Sequence, residues 1–188
     1  MKQVFVLAVV AALAMASVPG VLAQENYAAG KSYTADPPLR TDWLGDSGGE
    51  LTNGVTDWGW DPVTGWDGSV AANPRAIVID LGEAKSDITS VVVTVFISIS
   101  SACSPMAAVT VSGSATSGTT GFTEWGNATT EDAGNEENRV YTWEGGPAAA
   151  RWVKVLLDAE TPGWHALLSE IEVIGGGASD VADWELYE

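Results

Sequence analysis

The feature that most constrains this chain is a series of short β-branched runs with a period of two. The strongest run, 88–99, contains the consecutive residues Val91 to Ile97, which have high β-propensity and no helical period. Turn-rich clusters of Gly, Pro, Ser and Thr separate the runs. The predicted strands are 75–81, 88–99, 106–112, 121–125, 139–143, 151–157 and 168–174. This spacing, without an amphipathic helix, predicts an all-β antiparallel sandwich or jelly roll of about eight strands in one domain.

The first 23 residues resemble a secretory signal peptide. Lys2 precedes an apolar run from Val4 to Ala16, and the segment ends on small residues at Ala23. A membrane anchor is the alternative, but the apolar run is shorter than the roughly 20 residues that a bilayer span needs. We therefore expect a cleaved signal peptide over 1–23, a secreted extracellular domain over 24–175 and no membrane insertion.

The acidic composition excludes one class of partner. The chain carries 25 acidic and 8 basic side chains, for a formal net charge of −17. Nucleic-acid binding requires a positive surface, so nucleic acid is not an expected partner. We attribute the negative charge to solubility in an extracellular or saline medium.

Aromatic and sulfur residues narrow the function further. Nine Trp and four Tyr indicate a folded domain, because large aromatic side chains supply core area. Cys103 is the single cysteine and His165 the single histidine, so neither an internal disulfide nor a nitrogen and sulfur metal cage is available. We expect Cys103 to be a small buried residue.

Two segments lack strand patterns. The stretch 36–74 contains Trp43, Trp58, Trp60 and Trp66 among many Gly and Pro residues, and so long a connection in a compact domain is usually functional. The segment 176–188 begins inside the glycine run 175–177 and continues into an acidic stretch, which predicts a flexible acidic tail.

Six short segments occur in an order that is known from one domain family. They are Asn26–Tyr33, Leu51–Gly54, Ile79–Gly82, Pro105–Ser114, Ala150–Val155 and Ser169–Val173. This order resembles the galactose-binding-like jelly roll of discoidin and coagulation-factor type C domains, which family 32 carbohydrate-binding modules share. The resemblance spans 26–175 and implies a non-catalytic binding domain with its ligand loops at one end of the sandwich. A generic sandwich with unrelated loops is the alternative.

The resemblance also implies a structural calcium ion as a possible cofactor. The positions that match the family's ion site are Asn53 and Glu170, with Asp57 nearby. Calcium takes six to eight oxygen ligands, so Asn53 in place of the usual Asp keeps a ligand but removes a charge. The other interpretation is that Asn53 and Gly54 form only a tight turn and that Glu170 is a solvated carboxylate.

The predicted ligand is a glycan, bound by aromatic rings and by polar groups that hydrogen-bond to hydroxyls. The candidate ligand-binding residues are Trp60, Trp66, Asn73, Arg75, Trp164 and His165. Each of these Trp residues could instead pack in the interior, since Trp is highly buried on average.

The sequence thus predicts a secreted, non-catalytic carbohydrate-binding module that binds a glycan or polysaccharide. The alternative is a structural or adhesive surface protein that uses the same sandwich and contacts other surface proteins. An enzyme is not expected, because no nucleophile, metal cage or phosphate loop is evident in the sequence.

Overall fold

A computed structural model describes residues 23–40, 46–60 and 63–176 of the chain. Apart from Ala23 and Gly176, the predicted signal peptide and acidic tail lie outside these residues. Within these ranges, two 3-10 helices, Glu50–Thr52 and Ile99–Ser101, accompany eight strands. The strands are β1 Glu25–Asn26, β2 Tyr33–Asp36, β3 Thr64–Trp66, β4 Arg75–Ser98, β5 Met106–Ser114, β6 Thr123–Asn127, β7 Glu136–Ala159 and β8 Ala166–Gly175.

Two 24-residue strands, β4 and β7, connect the layers of the fold. They pair antiparallel from Arg75 opposite Leu157 to Ser98 opposite Glu136. The first half of β4 also pairs with β2, and the second half pairs with β8. β5 pairs with the second half of β7 and carries β6 at its far edge, whereas β1 and β3 pair with β8. The result is the predicted antiparallel β-sandwich.

The structure corrects the predicted strand boundaries. The runs 75–81 and 88–99 belong to one strand, and so do 139–143 and 151–157. Register shifts between Asp80 and Ser90 absorb the bend, with Gly82 and Gly146 at positive φ. The glycine-rich clusters therefore turn a continuous strand through a corner instead of reversing the chain. The stretch 36–74, for which the sequence predicts no strand, contains the three-residue strand β3.

The core follows the alternation of β4. Val91, Val93, Val95 and Ile97 point into the main hydrophobic core. Phe96 points the opposite way and forms a second buried cluster with Val63, Cys103 and Leu167. The prediction that Cys103 is buried is thus confirmed.

No helix among residues 23–40, 46–60 and 63–176 is long and apolar enough to cross a bilayer.

Candidate functional site

An exposed pair of indoles is the most prominent surface feature of the described chain. Trp58 is 56% exposed and Trp60 is 47% exposed. Both rings pack against the buried ring of Phe96, with centroid distances of 5.5 Å for Trp58 and 5.3 Å for Trp60. Because Phe96 lies on β4, the two indoles are supported by the sheet and still present apolar area to solvent. We call Trp58 and Trp60 the indole pair.

A cleft of about 500 Å³ lies beside the indole pair. Besides the two indoles, its lining consists of Glu50, Asn53, Val55, Asp57 and Gly59. The cleft therefore combines aromatic surface with carboxylate and amide groups. Binding sites for small polar ligands usually have this mixture of apolar walls and a few polar groups.

Glu50 supplies a fixed negative charge at the cleft. Its carboxylate accepts hydrogen bonds from Ser47 N at 2.8 Å, from Ser47 Oγ at 2.6 Å and from the backbone N–H groups of Gly48 and Gly49 at 3.0 Å. Burial alone would raise the pKa of Glu50, but the hydrogen bonds from Ser47 and Gly49 hold the pKa well below its usual range. Glu50 is therefore ionised across the neutral pH range.

Side-chain hydrogen bonds hold the segment 53–60, which carries the indole pair. Asn53 Oδ1 accepts a hydrogen bond from Val55 N at 2.7 Å and closes a local turn. Asn138 Nδ2, from β7, donates to Thr56 O. Just before this segment, Thr52 Oγ1 donates to Lys31 O at 2.7 Å. The segment is thus attached to the sandwich at several points.

Glu170 is an unusual buried carboxylate close to the same segment. It is 1% exposed, and neither carboxylate oxygen has a geometrically defined hydrogen bond among the described residues. Burial raises the pKa of Glu170 to about 7; the nearby backbone amides of Gly54, Asn53 and Val55 oppose this rise, and Glu172 adds to it. These amides do not offset the cost of burial, and a buried carboxylate of this kind is a group that a bound cation would stabilise.

Few other charged side chains are available to join Glu170 as ligands of a cation. Within the described ranges, no three or more His, Cys, Asp and Glu side chains are grouped to hold a metal. Glu170 would therefore need neutral oxygens, which calcium accepts from backbone carbonyls and Asn side chains. Asn53 lies beside Glu170 and is compatible with this chemistry, although its Oδ1 already accepts the Val55 N–H group. Asp57 lines the cleft with Asn53 but is exposed.

Two of the predicted ligand-binding residues are interior residues. Trp66 is fully buried, and its Nε1 donates to Pro37 O at 2.7 Å. Arg75 is also fully buried, lies over the Trp66 ring at 5.8 Å, and donates from Nη2 to Val70 O at 2.9 Å. The prediction that these two side chains contact a glycan is wrong, because neither reaches the surface.

Asn73 connects the chain just before β4 to the end of β7 by hydrogen bonds. Its Nδ2 donates to Asp158 Oδ1 at 2.5 Å, and its Oδ1 accepts a hydrogen bond from Ala159 N at 2.9 Å. These bonds join the bend just before β4 to the end of β7 and use both the nitrogen and the oxygen of the amide. The role visible in the structure is therefore structural.

Trp164 and His165 are not among the residues that line the cleft of the indole pair. Trp164 lines a different cleft of about 370 Å³ with residues such as Arg139 and Glu160, and the two clefts share no lining residue. His165 is half-buried and its backbone bridges to Cys103. Burial lowers the pKa of His165, and the positive charges of Arg75 and Arg40 lower it further. The structure thus divides the predicted ligand-binding residues among several places.

Sequence reasoning missed two supporting residues of the cleft. Phe96 was assigned to a buried strand, although its position between the inward-pointing Val95 and Ile97 could have placed it on the outer face. Glu50 carried no motif that distinguished it. Trp58 belonged to the Trp-rich stretch, but no pattern separated it from the buried Trp66.

Comparison with known proteins gives information about the fold. No protein-family model matches the chain, and no curated protein matches its sequence. Solved structures do match. A point mutant of chitosan-binding module 1 from a chitosanase/glucanase of Paenibacillus sp. IK-5 is 21% identical with a TM-score of 0.57, over 81% of this chain and 100% of that one.

Two other solved structures show the same likeness. A mutant of the lectin binding domain of lectinolysin, complexed with Lewis b, is 18% identical with a TM-score of 0.54, over 82% of this chain and 98% of that one. The family 32 module of NanJ from Clostridium perfringens, in complex with galactose, is 20% identical with a TM-score of 0.50, over 76% and 93%. The chain therefore has the galactose-binding-like fold of carbohydrate-binding modules.

Proposed function

We propose that this protein is a secreted, non-catalytic carbohydrate-binding module whose ligand surface is the indole pair and the adjoining cleft. The observation that carries the proposal is the exposure of Trp58 and Trp60 on the buried ring of Phe96. An exposed aromatic face is suited to the apolar C–H face of a sugar ring. Solvent-exposed large aromatics that a rigid sheet supports are typical of interaction sites.

The polar groups of the cleft complement the rings. The exposed carboxylate of Asp57 accepts hydrogen bonds from sugar hydroxyls, and the Asn53 amide nitrogen donates to them. Glu50 adds negative charge, since its oxygens already accept hydrogen bonds from Ser47, Gly48 and Gly49. The fold neighbours supply supporting context, since their names describe modules that bind chitosan, Lewis b and galactose. No step in this function requires a bond to be made or broken, so the residues bind and orient a glycan only.

Calcium forms a second part of the proposal. Glu170 and oxygens of the segment around Asn53 would hold the ion. The ion would offset the free-energy cost of burying an unsatisfied carboxylate. The ion would supply positive charge that anchors the base of the segment carrying the indole pair.

Calorimetric titration of single Trp variants tests the glycan proposal. The probes are galactose, the Lewis b tetrasaccharide and chitosan oligomers, after a glycan array has ranked them. Trp58→Ala and Trp60→Ala should each weaken binding of the best probe at least about tenfold, or ~1.4 kcal/mol. Trp164→Ala is the matched control and should bind as the wild type does.

Two results would overturn the proposal. One is retained affinity in both cleft variants together with loss in Trp164→Ala, which would move the site to the second cleft. The other is no glycan binding together with concentration-dependent oligomers, which would favour a structural or adhesive surface protein.

A further inference from the structure

Basic side chains of the described chain are largely occupied elsewhere. Four of them are in ion pairs: Arg40 with Asp67, Lys85 with Glu83, Arg139 with Glu137 and Arg151 with Asp80. Arg75 is buried, and Lys154 lies over the Phe122 ring at 4.5 Å. None of these cations lines the cleft beside the indole pair.

The charge of the cleft itself is negative. Glu50 and Asp57 supply two carboxylates among its lining residues, and no basic residue is present in that lining. The hydrogen bonds from Ser47, Gly48 and Gly49 keep the Glu50 charge in place. The surrounding field has the same sign, because the whole chain has a formal net charge of −17.

We propose that the cleft selects positively charged glycans, namely oligomers of de-N-acetylated amino sugars whose amines are protonated. This inference rests on the proposed glycan function and names the substrate class of the same site. An ammonium group over an indole face is attracted by the ring quadrupole, and two exposed indoles are present. The exposed Asp57 carboxylate beside the rings forms a charge-assisted hydrogen bond with the same ammonium group, and the charge of Glu50 attracts that group from a longer distance.

The same arrangement disfavours acidic glycans. In the absence of calcium, a uronate carboxylate in this cleft would face Glu50 and Asp57 with no basic side chain in the lining to compensate. Neutral sugars would keep the stacking contact but lose the ionic one. Affinity should therefore rank cationic oligomers above neutral ones, and neutral ones above uronates.

Three hexasaccharides of equal length test this ranking by calorimetry on the full chain. They are a glucosamine oligomer, its N-acetylated counterpart and an oligouronate, in EDTA, at low salt and at a pH where the amines are protonated. The glucosamine oligomer should bind at least about tenfold more tightly than the neutral oligomer. Because salt screens charges, this advantage should shrink at about 0.5 M salt.

A pair of charge-matched variants localises the effect. Asp57→Asn should weaken binding of the glucosamine oligomer about three- to tenfold and weaken the neutral oligomer by a clearly smaller factor, because the amide oxygen still accepts hydrogen bonds from hydroxyls but carries no charge. Glu131→Gln removes an equal charge from a separate groove and should change neither affinity. Equal losses in both variants would mean that net charge acts from a distance, and this would overturn selection by the cleft.

The remaining outcomes separate the two proposals. If the neutral oligomer binds as tightly as the glucosamine oligomer, and Trp60→Ala weakens both, the glycan function stands and charge selection is wrong. If the oligouronate binds most tightly, charge selection is also wrong. If no oligomer binds, the proposed glycan function itself fails.

Discussion

Trp60 and Trp66 lie close together in one Trp-rich segment, yet their environments are opposite. Trp60 is 47% exposed beside a cleft, whereas Trp66 is completely buried and donates its indole N–H to Pro37 O. The difference follows from what each ring packs against. Trp66 lies on β3, paired with β8, and belongs to the main core. Trp60 covers Phe96 on the outer face of the sheet.

This comparison shows that a cluster of aromatic residues in sequence is not one functional unit. Trp66 packs in the core of the sandwich, whereas Trp60 exposes part of its ring to solvent. Two observables separate them, namely the exposed fraction of the ring and the cluster against which the ring packs. The predictions below test this division of roles.

The largest expected effect is on folding stability at the buried indole. Trp66→Ala should lower the free energy of unfolding by about 3–5 kcal/mol, because it leaves a cavity and removes the hydrogen bond to Pro37. Urea unfolding followed by circular dichroism measures this loss. Trp58→Ala is the matched control and should lose no more than about 1 kcal/mol. Equal losses in the two variants would remove the distinction between core and surface indoles.

A smaller effect should come from pH at the buried carboxylate. The pKa of Glu170 in the folded state is about 7, above the ordinary value of 4.5, so the folded state holds the proton more tightly. In EDTA, the free energy of unfolding should therefore fall as pH rises from 4.5 to 7, by up to about 3 kcal/mol.

Two variants on β8 isolate the contribution of Glu170. Glu170→Gln should remove this pH dependence, because the amide mimics the protonated carboxyl. Glu172→Gln, on the same strand, should keep most of the dependence, because burial raises the pKa of Glu170 more than the charge of Glu172 does. Denaturant melts at half-unit pH intervals give the comparison, and parallel curves for wild type and Glu170→Gln would show that Glu170 titrates normally.

Calcium should act on the same carboxylate. A ligand that binds only the folded state at a hundredfold excess over its Kd adds about 2.7 kcal/mol of stability. Millimolar calcium should therefore raise the Tm of the wild type in thermal melts and leave Glu170→Gln unchanged. If calcium and EDTA give the same Tm in wild type, the site near Asn53 holds no ion and Asn53 is only a turn residue.

The sequence predicted the sandwich well because its signal is local and repeated. Alternation in the runs that became β4, β7 and β8 marks inward and outward residues over many positions. It could not show that β4 and β7 bend through a corner, because Gly82 and Gly146 are compatible with either a reversal or a bend. The binding site was harder to predict from the sequence. The burial of Trp66 and Arg75 depends on β3 and on strands distant in sequence, which no local pattern encodes.

The most direct test of the account is nuclear magnetic resonance of the indole N–H groups during a glycan titration. Each Trp gives one indole signal, and Trp58→Phe, Trp60→Phe, Trp66→Phe and Trp164→Phe variants assign the relevant ones. The account predicts that a bound chitosan oligomer shifts the Trp58 and Trp60 signals and leaves those of Trp66 and Trp164 in place. Shifts at Trp164 with none at Trp58 or Trp60 would contradict it.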